Sequence, residues 1–165
     1  MFKRIYNKVF KILFFFNPKI DKNLKLRKIG TIYGGYDVYD ENLQEPIIIS
    51  CGLGEDASFD IDMINKYNAK IISIDPTPRA KDYFEKIKRN FGNNKQLDYN
   101  ESGKIDVKAY DLKRVNSDNF IFLDKAFWIN NEEKLKLFFP DDHSHVSCSI
   151  NFKPKEKDNY FWAET

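Results

Sequence analysis

The 165-residue chain is 42% hydrophobic, 32% charged and 16% aromatic, with a net charge of +2. Fifteen Phe, nine Tyr and two Trp are too large an apolar load for a disordered polymer, and seven Gly and six Pro exclude a collagen-like chain. The length suits a single domain, and no apolar run approaches the roughly 20 residues of a membrane-spanning helix.

The charge is unevenly spread. Residues 1–28 hold nine of the 27 Lys and Arg but one of the 25 Asp and Glu, so this segment carries +8 and the rest −6. An acidic body repels phosphates, so nucleic acid is not an expected partner. Cys51 and Cys148 stand far apart without a CxxC neighbourhood. Neither a disulfide framework nor a zinc site is therefore expected, and a reducing, cytoplasmic setting is.

In residues 2–16, Phe2, Ile5, Val9, Leu13 and Phe16 recur at helical spacing, with Lys3, Arg4, Lys8 and Lys11 between them. Asn17-Pro18 ends this predicted helix. Lys11 interrupts its apolar core and no small-x-small site follows, so it does not read as a signal peptide. It reads either as a helix packed on the body or as an amphipathic helix in peripheral contact with an anionic membrane.

The 29–165 body begins with residues 29–40, read as extended chain bending at Gly34-Gly35. Ile47 to Cys51 is a short apolar run of the kind buried in a parallel sheet. Gly52-Leu53-Gly54 forms a turn, and a helix starts near Asp56 or Ser58, with Phe59, Met63, Ile64 and Tyr67 on one face. A second buried strand spans Lys70 to Asp75. Thr77 is then a predicted N-cap and Pro78 a first helical residue. Ala80, Tyr83, Phe84, Ile87 and Phe91 line the helix face, and Gly92 ends it. Residues 93–118 fit either period. Phe120–Leu123, Ala126–Ile129 and Leu135–Phe139 read as strands, the last two joined by a turn over 130–134.

Strand, glycine turn, helix, strand, helix is the opening of an open α/β sheet. A glycine turn after the first strand and an acid about 20 residues on, Asp75, suit a nucleoside whose ribose hydroxyls the carboxylate accepts. Thr77 already takes the cap, which leaves Asp75 free for a ligand. Gly52-x-Gly54-x-x-Ala57 fits the dinucleotide fingerprint as well, so the spacing accommodates NAD and S-adenosylmethionine alike. Glu55 and Asp56 at the helix start would repel a pyrophosphate, whereas an ammonium would be welcome there.

Ile49-Ser50-Cys51-Gly52-Leu53-Gly54-Glu55-Asp56-Ala57-Ser58-Phe59-Asp60, followed by Ile74-Asp75-Pro76-Thr77-Pro78, resembles the FkbM-type S-adenosylmethionine-dependent methyltransferases. Tyr33-Gly34-Gly35-Tyr36 is similar to that family's Y-G-G-W, and Pro140 with His145-Val146-Ser147-Cys148-Ser149-Ile150 to its P…H-V-S-H-S-I segment, Cys148 replacing a histidine. The resemblance covers about residues 30–150. It implies a Rossmann-like methyltransferase sheet with flanking helices, and methyl transfer to a hydroxyl of a sugar, glycan or other small molecule. Cys51, Gly52, Leu53 and Gly54 would then line the cofactor, Glu55 and Asp56 its methionine end, Asp75 the ribose, and Asp124, Lys125 and Ala126 the adenine.

Family members continue beyond the equivalent of Thr165, which implies a C-terminally incomplete sheet. Ile47 to Ile49 would then border an unpaired edge, and the chain alone would associate or aggregate without transferring methyl groups. His143 and His145 are the candidate bases for the acceptor hydroxyl, with a plain polar loop, 141–145, as the other reading. No metal is expected there. An NAD-binding oxidoreductase domain and a non-catalytic remnant of a methyltransferase are the competing functions.

Overall fold

A computed structural model describes residues 24–130, 134–142, 145, 147–151, 154–155 and 158–165. The predicted helix over 2–16 lies outside the described residues, as does His143.

Strands β1 (Leu26–Ile29) and β2 (Tyr36–Tyr39) form an antiparallel hairpin in which Ile29 faces Tyr36. Residues 29–40 are thus two strands around a loop, and the first already begins at Leu26, inside the basic segment. The loop docks on the next helix: the Thr31 amide donates to Ser58 Oγ (2.9 Å) and the Gly30 amide to Asp62 Oδ2 (3.2 Å).

Strands β3 (Ile47–Cys51), β4 (Lys70–Ile74) and β5 (Phe120–Leu123) form a parallel sheet in the order β3-β4-β5. Helix α1 (Ser58–Tyr67) connects the first pair, and α2 (Pro78–Lys88) lies on the path from β4 to β5. The fold is therefore mixed α/β, with a parallel three-stranded sheet flanked by helices. Because neighbours pair in register, Ile48, Ile71 and Phe120 share one sheet face, and so do Ser50, Ser73 and Phe122. Ile61 and Ile64 of α1 and Phe84 and Ile87 of α2 join this face in one core. Phe84 stacks on Phe122 at 4.9 Å and meets Phe120 edge-on at 5.2 Å.

Residues 93–118, which fit both periods, are mostly neither strand nor α-helix. They make a short 3₁₀ turn, Val107–Ala109, while Ile105, Tyr110, Leu112 and Val115 are buried in the same core. Each of these side chains is anchored by packing and not by a regular period.

The opposite sheet face carries Ile47, Ile49, Ile72, Ile74, Ile121 and Leu123. Ile47 is 72% and Ile49 60% exposed, and among the described residues no strand pairs with the outer edge of β3. Among the described residues the apolar edge expected along Ile47–Ile49 is present, and β3 is not the buried strand its composition predicts: none of its five residues is buried, because nothing covers this face or pairs with its outer edge there.

The predicted strand Ala126–Ile129 does not form, and neither does its hairpin with the following strand. Instead β6 (Lys134–Phe138) pairs antiparallel with β7 (Tyr160–Glu164), a separate two-stranded sheet. Ala126 only donates its amide to the Glu164 carbonyl (2.7 Å), and Phe127 and Ile129 stay exposed. The distant partner offers more contact. Lys136 Nζ lies 3.6 Å from the Tyr160 ring centroid, Phe138 packs on Tyr160, and Lys134 pairs with Glu164 at 2.6 Å.

The two helix starts use different devices. Thr77 is extended, with its Oγ1 accepting from the Ala80 amide (3.3 Å) and Pro78 in the first turn, as the sequence predicts. Helix α1 has no cap from Ala57 itself; Asp56 Oδ1 accepts from the Ser58 amide at 2.9 Å. Thr77→Ala should lower unfolding stability by about 1–2 kcal/mol, measurable in urea, because a cap and a bond to Asp75 are lost together. An unchanged midpoint would show that Pro78 alone sets the helix start.

Candidate functional site

A cleft of about 710 Å³ opens where β3 and β4 end, bounded by the β1–β2 loop, the turn into α1 and residues 126–128 and 147–150. Ligands of open α/β sheets bind at such carboxyl edges. The turn that shapes it is Gly52-Leu53-Gly54. Gly52 has φ +90 with open space around an added Cβ, so it is the backbone conformation that demands glycine there. The Gly52 amide donates to the Ile74 carbonyl (2.9 Å), tying the two strand ends together. Behind the turn, the Ala57 amide donates to the Tyr110 hydroxyl (2.8 Å), which also bonds the Tyr83 hydroxyl (2.6 Å). Burial pushes both phenols up, so they stay neutral props.

Asp75 is not left free by Thr77, contrary to expectation. It is only 4% exposed, and Oδ1 accepts from the Thr77 amide (2.9 Å) and hydroxyl (2.7 Å) while Oδ2 accepts from the Gly54 amide (3.0 Å). The carboxylate staples the glycine turn to the start of α2. A carboxylate offers about four acceptor positions, so one remains on Oδ2.

Glu55 and Asp56 both line the cleft and both have partners. Glu55 Oε2 makes no hydrogen bond but sits 3.8 Å from Lys104 Nζ and 3.8 Å from an Arg79 guanidinium nitrogen. Besides capping α1, Asp56 accepts from the Thr31 hydroxyl at 2.6 Å, which binds the hairpin loop to the helix.

Asp60, in the first turn of α1, lines the cleft while only 3% exposed. Its Oδ1 has no hydrogen-bond partner. Desolvation pushes its pKa up to about 7; the Ser50 hydroxyl's hydrogen bond opposes the shift and the Asp56 charge adds to it. Sequence reasoning passed over it, because beside Phe59 it looks like an ordinary polar helix residue. The one signal was its place closing the Ser58-Phe59-Asp60 string.

Cys51, Gly52, Leu53, Gly54 and Ala126 all line the cleft, the last together with Phe127 and Trp128. Asp124 and Lys125 do not: Asp124 pairs with Lys81, and Lys125 Nζ donates to the Thr165 carbonyl at 2.8 Å. The His145 side chain is 72% exposed, lies outside the cleft, and approaches Asp142 at 3.6 Å. Cys148 does line it, its thiol pushed up by burial and then by the Asp75 charge.

Tyr33, Tyr36, Phe59, Phe127 and Trp128 supply aromatic wall, while Glu55, Asp56, Asp60 and Asp75 supply four carboxylates. Among the described residues, no Lys or Arg lines the cleft. Nor, among them, does any group of three His, Cys, Asp and Glu converge as a metal site, and no helix is long and apolar enough to cross a membrane. Comparison of the chain with protein-family models, curated proteins and solved structures finds no match.

Proposed function

We propose that the chain carries the cofactor site of an S-adenosylmethionine-dependent O-methyltransferase of Rossmann-like build, acting on a hydroxyl of a sugar, glycan or other small molecule. The observation that carries this reading is the charge of the cleft. Four carboxylates and five aromatic rings line it, with no basic side chain among the described residues. Such a wall suits a ligand that is cationic at one end and an aromatic base at the other. S-adenosylmethionine has that form, with an ammonium and a sulfonium on one side and adenine on the other. Glu55 and Asp56 at the turn into α1 would repel the pyrophosphate of NAD, so the oxidoreductase reading is disfavoured.

The cofactor would supply an electrophilic methyl group, and the chain's residues would hold it in line with an acceptor oxygen. Gly52 and Gly54 shape the backbone floor, the last acceptor position of Asp75 suits one ribose hydroxyl, and Phe127 and Trp128 offer faces for a base. Equilibrium calorimetry tests the reading: S-adenosylmethionine should bind and NAD should not. The reverse order would establish the oxidoreductase alternative, and binding of neither would favour the non-catalytic remnant.

Asp75→Ala should weaken both S-adenosylmethionine and adenosine by about tenfold, the worth of one charge-assisted hydrogen bond. Adenosine separates the two duties of this residue. If its affinity is unchanged while the melting temperature falls, Asp75 is a staple and touches no ribose.

A further inference from the structure

Three of the four cleft carboxylates are compensated by the protein. Asp75 receives three hydrogen bonds, Asp56 two, and Glu55 lies between two cations. Among the described residues, Asp60 is the one of the four whose buried oxygen has neither a hydrogen-bond donor nor a cation beside it. A buried acceptor left unmade is costly unless something supplies the missing bond.

Among the described residues, the surroundings of Asp60 contain no such partner. Ser50 on β3 gives it one hydrogen bond, and Asp56 in the turn before α1 adds a like charge. On β4 the residue in register with Ser50 is the uncharged, buried Ser73, whose own Oγ is unpartnered. From the hairpin, Tyr36 packs edge-on against the neighbouring Phe59 at 5.1 Å and lines the same cleft. On α1 itself, Asp62 is turned to the Gly30 amide and the Tyr99 hydroxyl.

We propose that Asp60 is the carboxylate that receives the cationic group, ammonium or sulfonium, of the ligand in this cleft. The inference deepens the methyl-donor reading above, since it names the residue that selects for a cation. Burial favours the neutral acid, and an arriving cation makes the carboxylate the favoured form, its proton passing to solvent. The protein's own charge then matches the ligand's only when the ligand is present.

The test follows the Asp60 side-chain carboxyl carbon by NMR in the ¹³C-labelled full chain, titrated alone and with saturating S-adenosylmethionine, S-adenosylhomocysteine or adenosine. Alone, Asp60 should titrate near its elevated value. S-adenosylmethionine should lower that midpoint by about one unit or more, and adenosine, which carries neither cation, should leave it in place. If S-adenosylhomocysteine acts like S-adenosylmethionine, the ammonium is the group received; if it acts like adenosine, the sulfonium is. Asp60→Asn should bind S-adenosylmethionine about tenfold more weakly near pH 8, with adenosine affinity kept. S-adenosylmethionine binding that leaves the Asp60 midpoint unmoved would overturn the proposal and spare the methyl-donor reading. If no adenosine compound binds, that reading falls, and methylammonium and trimethylsulfonium then decide the proposal alone. A lowered midpoint with either would uphold it, and none would end it.

Discussion

Near pH 8, Asp60→Asn should resist urea better than the native chain, and near pH 4 the two should unfold together. The folded state holds the Asp60 proton up to about pH 7, whereas the free side chain loses it near 3.8. The folded state therefore binds the proton more tightly than the unfolded chain does. Stability from this source is complete below the unfolded value, falls as pH rises, and is gone above the folded one. Beyond that point the native chain carries an ionised, desolvated carboxylate that asparagine does not. For a group this buried the gap near pH 8 should reach a few kcal/mol. Urea midpoints across the pH range give the answer. A gap of constant size would assign the effect to packing of the amide and not to charge.

Gly35→Ala should be strongly destabilising. A Cβ at Gly35 would stand 2.3 Å from the Ile29 carbonyl oxygen and 2.4 Å from that of Thr31. These are backbone atoms at the base of the β1–β2 hairpin, and the Gly35 amide already bonds the Thr31 carbonyl at 2.9 Å. They cannot move aside without opening the loop that holds Thr31 against Ser58 and Asp56. The expected loss is about 3 kcal/mol or more, with the hairpin detached from α1. Gly92→Ala is the matched control: its φ is +84 but an added Cβ meets nothing, so about 1 kcal/mol of backbone strain is expected there. Equal losses in the two variants would mean that the hairpin loop yields easily, and the Gly34-Gly35 pair would lose its structural meaning.

The contrast between these glycines marks the limit of what short-range pattern conveys. The strands Ile47–Cys51 and Lys70–Ile74, the Gly52–Gly54 turn, and the Thr77-Pro78 start were all legible, because apolar patterning, positive φ and capping act between near neighbours. The cleft followed from them, since a parallel strand–turn–helix unit brings its turns to one sheet edge. The pairing of β6 with β7 was not legible. Residues 126–129 offered a nearer strand, and only contact of Lys136 and Phe138 with Tyr160 decided between them.

The sequence by itself pointed to the glycine turn, to three of the four cleft carboxylates (Glu55, Asp56 and Asp75), and to an aromatic supply for the walls. What the tertiary structure decided is which carboxylates are already spoken for. Thr31 and Ser58 claim Asp56, Gly54 and Thr77 claim Asp75, and Lys104 with Arg79 faces Glu55. Several of these partners come from the β1–β2 loop, from α2 and from the segment after residue 93, so no local window contains them. Burial is likewise a property of the assembled core, and it turned Asp60, an ordinary acid in sequence, into the uncompensated carboxyl of the site.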